Sequence, residues 1–217
     1  MTTAGRTVRA DRAGSAAALI LAAGAGARLG GPKALLWFQG RLLVERAVEA
    51  AGSGGCGRIV VVLGAGADEV MRRADLGPAR SVLNRGWSEG MGSSLRAGLA
   101  ALDAPPDGAP ADAALVLLVD QPFVGAAAVR AVLAAWRAGA RLAAASYGGR
   151  RGHPVLFARE HWAAVARAAT GDAGARGFLA SHAAQVLLVP CDAVADPQDL
   201  DTPEDLDRLA RPGTPGA

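Results

Sequence analysis

Short apolar runs recur along the chain at residues 18–22, 58–63, 80–83, 113–119, 142–145 and 186–189, each of strand length. Between them lie segments with helical spacing. Residues 42–51 put Leu43, Ala47, Val48 and Ala51 on one stripe, and residues 126–138 repeat the pattern with Val129, Val132, Leu133 and Trp136. Strands that are apolar at successive positions are buried on both faces, and their alternation with helices predicts a mainly parallel sheet covered on both sides. The expected architecture is therefore an α/β, doubly wound single domain.

Length and composition sharpen that expectation. The chain has 217 residues, 51% of them apolar, which is enough for one well-buried core and short for two ordinary domains. Residues 15–210 are expected to form the domain. Residues 1–14 and 211–217 have the Gly, Pro, Thr and charge content of flexible tails, and the proline-rich stretch 103–112 reads as a surface connection. Net charge is +3, from arginines scattered along the chain rather than run together. With aromatics at 4%, a stacking platform for nucleic acid has little to build on, and no nucleic-acid partner is expected.

The two cysteines, Cys56 and Cys191, lie far apart and lack neighbours at metal-ligand spacing, which argues against a disulfide framework or a zinc site. A reducing, cytoplasmic setting is expected. Arg6, Arg9 and Arg12 precede an apolar stretch, and Ala25-Gly26-Ala27 imitates a signal-peptidase site. Cleavage there would discard half of the glycine-rich motif described next, so the segment reads as a basic tail before a buried strand. No apolar run reaches the roughly 20 residues needed to cross a bilayer.

The first strand leads into Leu21-Ala22-Ala23-Gly24-Ala25-Gly26-Ala27-Arg28-Leu29-Gly30-Gly31-Pro32-Lys33. Glycines let a backbone turn tightly and point successive N–H groups at an anion, while Arg28 and Lys33 supply positive charge. A Walker loop fails here, because Lys33 is followed by Ala34 rather than Ser or Thr. The dinucleotide fingerprint fails twice: Leu29 stands where its third glycine belongs, and Gly64 stands where an acid should close the second strand.

The pattern Leu-Ala-Ala-Gly-x-Gly-x-Arg-Leu-Gly-x-Pro-Lys-x-Leu-Leu instead resembles the nucleotidyltransferases that activate small molecules with a nucleoside triphosphate. The resemblance implies a GT-A-like, Rossmann-like three-layer sandwich. It also implies that Leu21, Ala22, Ala23, Gly24, Gly26, Arg28 and Lys33 wrap the nucleotide, with Arg28 and Lys33 on its phosphates.

Three further clusters extend the match. Asp120-Gln121-Pro122 follows a strand; such an Asp is by itself a common turn or cap residue, but it matches the Mg²⁺-binding motif of the subgroup acting on molybdopterin. Asn84-x-x-Trp87-x-x-Gly90-Met91-x-x-Ser94-Leu95 reads locally as a helix start capped by Ser93 or Ser94, and it is similar to the loop beside the nucleoside in that subgroup. This implies nucleotide contacts from Asn84, Gly90, Ser93 and Ser94. Near the C-terminus, Thr202 and Pro203 read as a cap and first helical position, and the resemblance makes Asp201 the second metal ligand, with Asp199 as the alternative.

Arg151-Gly152-His153-Pro154 and Gly171-Asp172 resemble acceptor-side elements, implying acceptor contacts from Gln121, His153 and Asp172. The chain is thus similar to the molybdenum cofactor cytidylyltransferase-like family, with a MobA-like NTP transferase domain. That implies transfer of CMP from CTP to molybdopterin by Arg28, Lys33 and Asp120, pyrophosphate release, and a molybdoenzyme as recipient of the product. Ala22-Ala23-Gly24 resembles cytidylyl rather than guanylyl members. Nicotine blue oxidoreductases share this opening motif and form the alternative from another enzyme class; a sugar phosphate acceptor and a cofactor-holding chaperone are further alternatives.

Overall fold

A computed structural model describes residues 14–106 and 108–209. The expected tails, apart from Gly14, lie outside these residues. The elements in chain order are β1 (Ala16–Ala22), β2 (Trp37–Phe38), β3 (Arg41–Leu42), α1 (Leu43–Ser53), β4 (Arg58–Leu63), α2 (Ala67–Arg73), β5 (Arg80–Leu83) and α3 (Met91–Asp103). They continue with β6 (Ala113–Leu118), α4 (Ala126–Arg137), β7 (Leu142–Tyr147), β8 (Arg150–Ala158), α5 (Trp162–Ala168), α6 (Arg176–Ser181), β9 (Val186–Pro190) and α7 (Pro203–Leu209).

Seven strands form one sheet in the order β5-β4-β1-β6-β8-β7-β9, and β2 and β3 make a small separate hairpin. The β5-β4-β1-β6 half is parallel throughout. Its strands alternate between two cores. Ala18, Ile20 and Ala22 pack with α1 and α4 on one face, while Ala17, Leu19 and Leu21 pack with α3 on the other. Leu19 and Ile20 are fully buried, and each such side chain contributes about 1.5–3 kcal/mol. Helices α5 and α6 complete the second face through Trp162, Val165, Phe178 and Leu179. The result is the expected single-domain, mainly parallel sheet between two helical layers.

Two sequence-based expectations need correction. The strand β8 was not predicted; it runs antiparallel between β6 and β7. Its first residues, Arg150-Arg151-Gly152-His153-Pro154, are polar or helix- and ladder-breaking, which hid the strand. Pro154 is accommodated because pairing with β6 runs from Ala158 only to Val155, and the β7 register slips between Ala144 and Ser146. Burial on both faces also fails for the edge strands: Leu83 on β5 and Leu187 and Leu188 on β9 are exposed. Among the described residues no helix is long and apolar enough to cross a membrane.

Candidate active site

The carboxyl ends of the parallel strands converge, as ligand-binding loops do in open α/β sheets. After β1 the chain coils through two short 3₁₀ turns, Ala27–Leu29 and Lys33–Leu35. Gly26 makes this coil possible. Its φ is 58°, and a Cβ there would sit 2.0 Å from the carbonyl oxygen of Gly31. The compact turn brings Lys33 back to the sheet, where its Nζ donates to Asp120 Oδ2 at 2.6 Å and to Asp201 Oδ1. Arg28 stays exposed on the first turn and lines neither of the clefts described below.

Asp201 reaches Lys33 because the segment before α7 is fastened to the β6 loop. The Leu200 amide donates to the Asp120 carbonyl at 2.8 Å, and the Thr202 hydroxyl caps α7 by accepting from the Asp205 amide at 3.2 Å, as expected. Asp199 faces elsewhere: its Oδ1 accepts from Gln121 Nε2 at 2.8 Å. Of the two candidate acids, Asp201 therefore shares Lys33 with Asp120, and Asp199 does not.

Charges in this cluster act on one another. Burial would lower the Lys33 pKa, but Asp120 and then Asp201 outweigh it and the net shift is upward. Asp199 is raised, first by burial and then by the repulsion of Asp120 and Asp201. His153 is pushed down to about 4 by burial, against the opposing attraction of Asp120, so the imidazole is neutral at pH 7. Its carbonyl accepts from the Tyr147 hydroxyl at 2.8 Å.

The loop after β5 departs from the capping expectation. Neither Ser93 nor Ser94 caps α3; Gly90 occupies the cap position. The serines instead accept from the buried Asn84 Nδ2, at 2.8 Å for Ser93 and 3.1 Å for Ser94, while Asn84 Oδ1 accepts from the Gly86 amide. The amide of Asn84 is thus spent on holding its own loop. Gly90 has φ 102°, and a Cβ on it would lie 2.5 Å from the Gly171 carbonyl carbon and 2.6 Å from Asp172 Oδ1. Only glycine lets the loops at 90 and 171 meet so closely.

Two adjoining clefts result. The smaller, about 320 Å³, is lined by Leu21, Ala23, Gly24, Lys33, Gly90 and Ser94 among the expected nucleotide residues, with Trp87 alongside. Ala22, Asn84 and Ser93 are buried and, like Gly26, do not line it. The larger, about 690 Å³, is lined by the expected acceptor residues Gln121, His153 and Asp172. Both share Asp120 and Asp172. Tyr147 and Arg150, which also line the larger cleft, escaped the sequence reading. The signal was present in Gly148-Gly149, a two-residue hairpin turn with both φ positive at 55° and 72°.

Among the described residues no group of three or more His, Cys, Asp or Glu side chains is placed to hold a metal. Mg²⁺ does not require one, since it takes one or two protein carboxylates and completes its shell with water and phosphate oxygens. The carboxylates of Asp120 and Asp201 converge on a single cation, Lys33 Nζ. That donor set fits a hard divalent ion.

Comparison with known proteins adds the following. The model of the MobA-like NTP transferase domain matches residues 18–186. A protein named nicotine blue oxidoreductase from Paenarthrobacter nicotinovorans is 45% identical over 199 residues, covering 88% of this chain and 94% of its own. The crystal structure of Rv0371c from Mycobacterium tuberculosis H37Rv is 28% identical and superposes with a TM-score of 0.78 over 91% of this chain and 98% of that one. A structure of Rv0371c in complex with manganese is 27% identical, with a TM-score of 0.75 over 90% and 98% of the two chains.

Proposed function

The chain belongs to the MobA-like NTP transferase domain family, and from that premise we propose that it is a Mg²⁺-dependent cytidylyltransferase that moves CMP from CTP to molybdopterin. The observation that carries this reading is the meeting of the glycine-rich loop, Lys33, Asp120 and Asp201 on the wall between two adjoining clefts. One cleft takes the nucleotide and the other the acceptor. The choice of CTP rests on Ala22-Ala23-Gly24, and that of molybdopterin on the Asp120-Gln121-Pro122 and Gly152-His153-Pro154 elements.

In this reading a terminal phosphate oxygen of the acceptor attacks the α-phosphorus of CTP, the bond from that phosphorus to the bridging oxygen breaks, and pyrophosphate leaves. Nucleotidyl transfer is catalysed mainly by positioning and by neutralising charge. Lys33 supplies a cation that is charged at all physiological pH values, and the backbone N–H groups of the loop at Gly24 and Gly26 cradle the phosphates. Arg28, exposed on the same loop, supplies a second positive charge to them. Asp120 and Asp201 would hold Mg²⁺, whose chemistry is to withdraw charge from the phosphate oxygens. The manganese complex of a relative supports a divalent ion of that kind.

A second reading has a specific observation behind it: the 45% identity to a nicotine blue oxidoreductase. A nicotinamide cofactor would then occupy the site, although Leu29 and Gly64 break both dinucleotide criteria. Melting temperatures with Mg²⁺ and each of CTP, GTP, ATP, UTP, NADH and NADPH separate the two, because a ligand that binds the folded state must raise the midpoint. A selective CTP shift, lost in Lys33→Ala, is expected. A selective NADH or NADPH shift overturns the proposal.

A further inference from the structure

An ammonium group of the chain stands where the proposed reading needs a metal. Lys33 Nζ donates to Asp120 Oδ2 at 2.6 Å and to Asp201 Oδ1, so both of its bonds go to the carboxylates that would hold Mg²⁺. Mg²⁺ sits about 2.0–2.1 Å from its oxygens and demands a near-ideal octahedron, so an ammonium left on the same two oxygens would lie within about 5 Å of the dication. The side chains of Lys33 and Asp120 are only 17% and 20% exposed, and solvent screens that repulsion weakly. The two cations therefore exclude each other.

The backbone that carries the two carboxylates is fastened without Lys33. The Leu200 amide donates to the Asp120 carbonyl, and the Asp201 and Thr202 amides both donate to Asp205 Oδ2, at 3.2 and 3.0 Å. Lys33 can leave the acids with its own backbone at rest. It opens the short turn Lys33–Leu35, anchored by the buried Ala34 and Leu35, and only its side chain reaches Asp120 and Asp201. That side chain is a point charge on a flexible four-carbon stem, and it also lines the smaller cleft beside Gly24 and Ala25. Rotation about the stem exchanges carboxylate oxygens for phosphate oxygens in that cleft.

Resting on the reading that Asp120 and Asp201 take the metal, we propose that Lys33 is a resident counter-ion that closes the metal position until a triphosphate draws it away. Between the acids it offsets one of their two negative charges and keeps a lone divalent cation out. On a triphosphate it releases both carboxylates. Divalent cation and nucleotide therefore enter as a pair, and the same side chain hinders one while attracting the other.

Mn²⁺ titrated into the whole protein without nucleotide, with the free ion followed by electron paramagnetic resonance, tests this on binding alone. Lys33→Met keeps the length and removes the charge, and it is expected to bind Mn²⁺ about tenfold tighter than wild type, the scale for removing one competing charge-assisted contact. Lys33→Arg should stay as weak as wild type. Arg28→Met removes the same charge from the exposed part of the loop and should change Mn²⁺ affinity by less than about twofold. Adding Asp201→Asn to Lys33→Met should abolish the gain. No gain in Lys33→Met while CTP still raises the wild-type melting temperature, a gain that survives Asp201→Asn, or an equal gain in Arg28→Met overturns the inference; Lys33→Gln carries the comparison if Lys33→Met does not fold. Tighter Mn²⁺ binding without any CTP shift in the wild type would instead sink the cytidylyl reading and leave this role of Lys33 standing.

Discussion

The two halves of the sheet are built by different rules. In the β5-β4-β1-β6 half every pairing is parallel, and the loops that leave its strands wrap the smaller cleft. In the β8-β7-β9 half the chain doubles back, and the cleft groups come from a hairpin and from a C-terminal segment that returns to the Asp120 turn. A parallel sheet forces each strand to end on the same side, so its loops collect by necessity. The mixed half has no such constraint, and its contributions are placed by individual contacts: the Gly90 approach to Gly171, the Leu200 bond to Asp120, and the Gly148-Gly149 turn.

The largest effect should come from cutting the seam between the halves at its charged centre. Asp120→Asn is expected to lower turnover by about a hundredfold or more at saturating nucleotide, the scale for losing one preorganised charge-stabilising group. Circular dichroism should show an intact fold; near-normal turnover at saturating Mg²⁺ would remove Asp120 from the machinery.

Next comes the steric contact between the halves. Gly90→Ala places a methyl group against backbone at a positive φ, and strain and overpacking together should cost on the order of 2–4 kcal/mol. Denaturant unfolding measures it, and a cost under half a kcal/mol would mean that the two loops separate freely. Within the parallel half, Asn84→Ala leaves the Ser93 and Ser94 hydroxyls and the Gly86 amide short of a partner, for about 1–3 kcal/mol. Binding of acceptor-side ligands should not change.

An effect of similar size belongs to the mixed half and appears only in pH dependence. His153 is depressed from its ordinary 6.5 to about 4, so between those values the unfolded chain binds a proton that the folded chain does not. Stability therefore falls as pH drops from 6.5 toward 4, by about 1–3 kcal/mol in total. The raised carboxyl of Asp199 works in the opposite direction at acid pH, so the difference between wild type and His153→Gln is the quantity to measure. Equal slopes for both would contradict the assignment.

This contrast also explains what was legible in the sequence. β1 and β6 announce themselves because burial on both faces makes them apolar at every position, as it does β4 from Ile59 to Leu63, and the glycine-rich loop is legible because tight backbone packing around Gly26 permits few alternatives. β8 was missed because polar residues and Pro154 fill its first half, and β9 was misjudged because an edge strand can expose Leu187 and Leu188. Lys33, Asp120 and Asp201 were named separately. Their meeting at one point depends on the bond from Leu200 to Asp120, which no local pattern encodes. The serines at 93 and 94 looked like caps because capping and internal bracing by Asn84 draw on the same residue types.

The most direct measurement is to incubate the protein with Mg²⁺, molybdopterin and CTP labelled at the α-phosphorus, and to follow label and pyrophosphate together. The account predicts that label moves to molybdopterin one for one with pyrophosphate release, and that Asp120→Asn stops both. Label that stays on CTP, in a preparation that instead oxidises NADH or NADPH with nicotine blue, would contradict it.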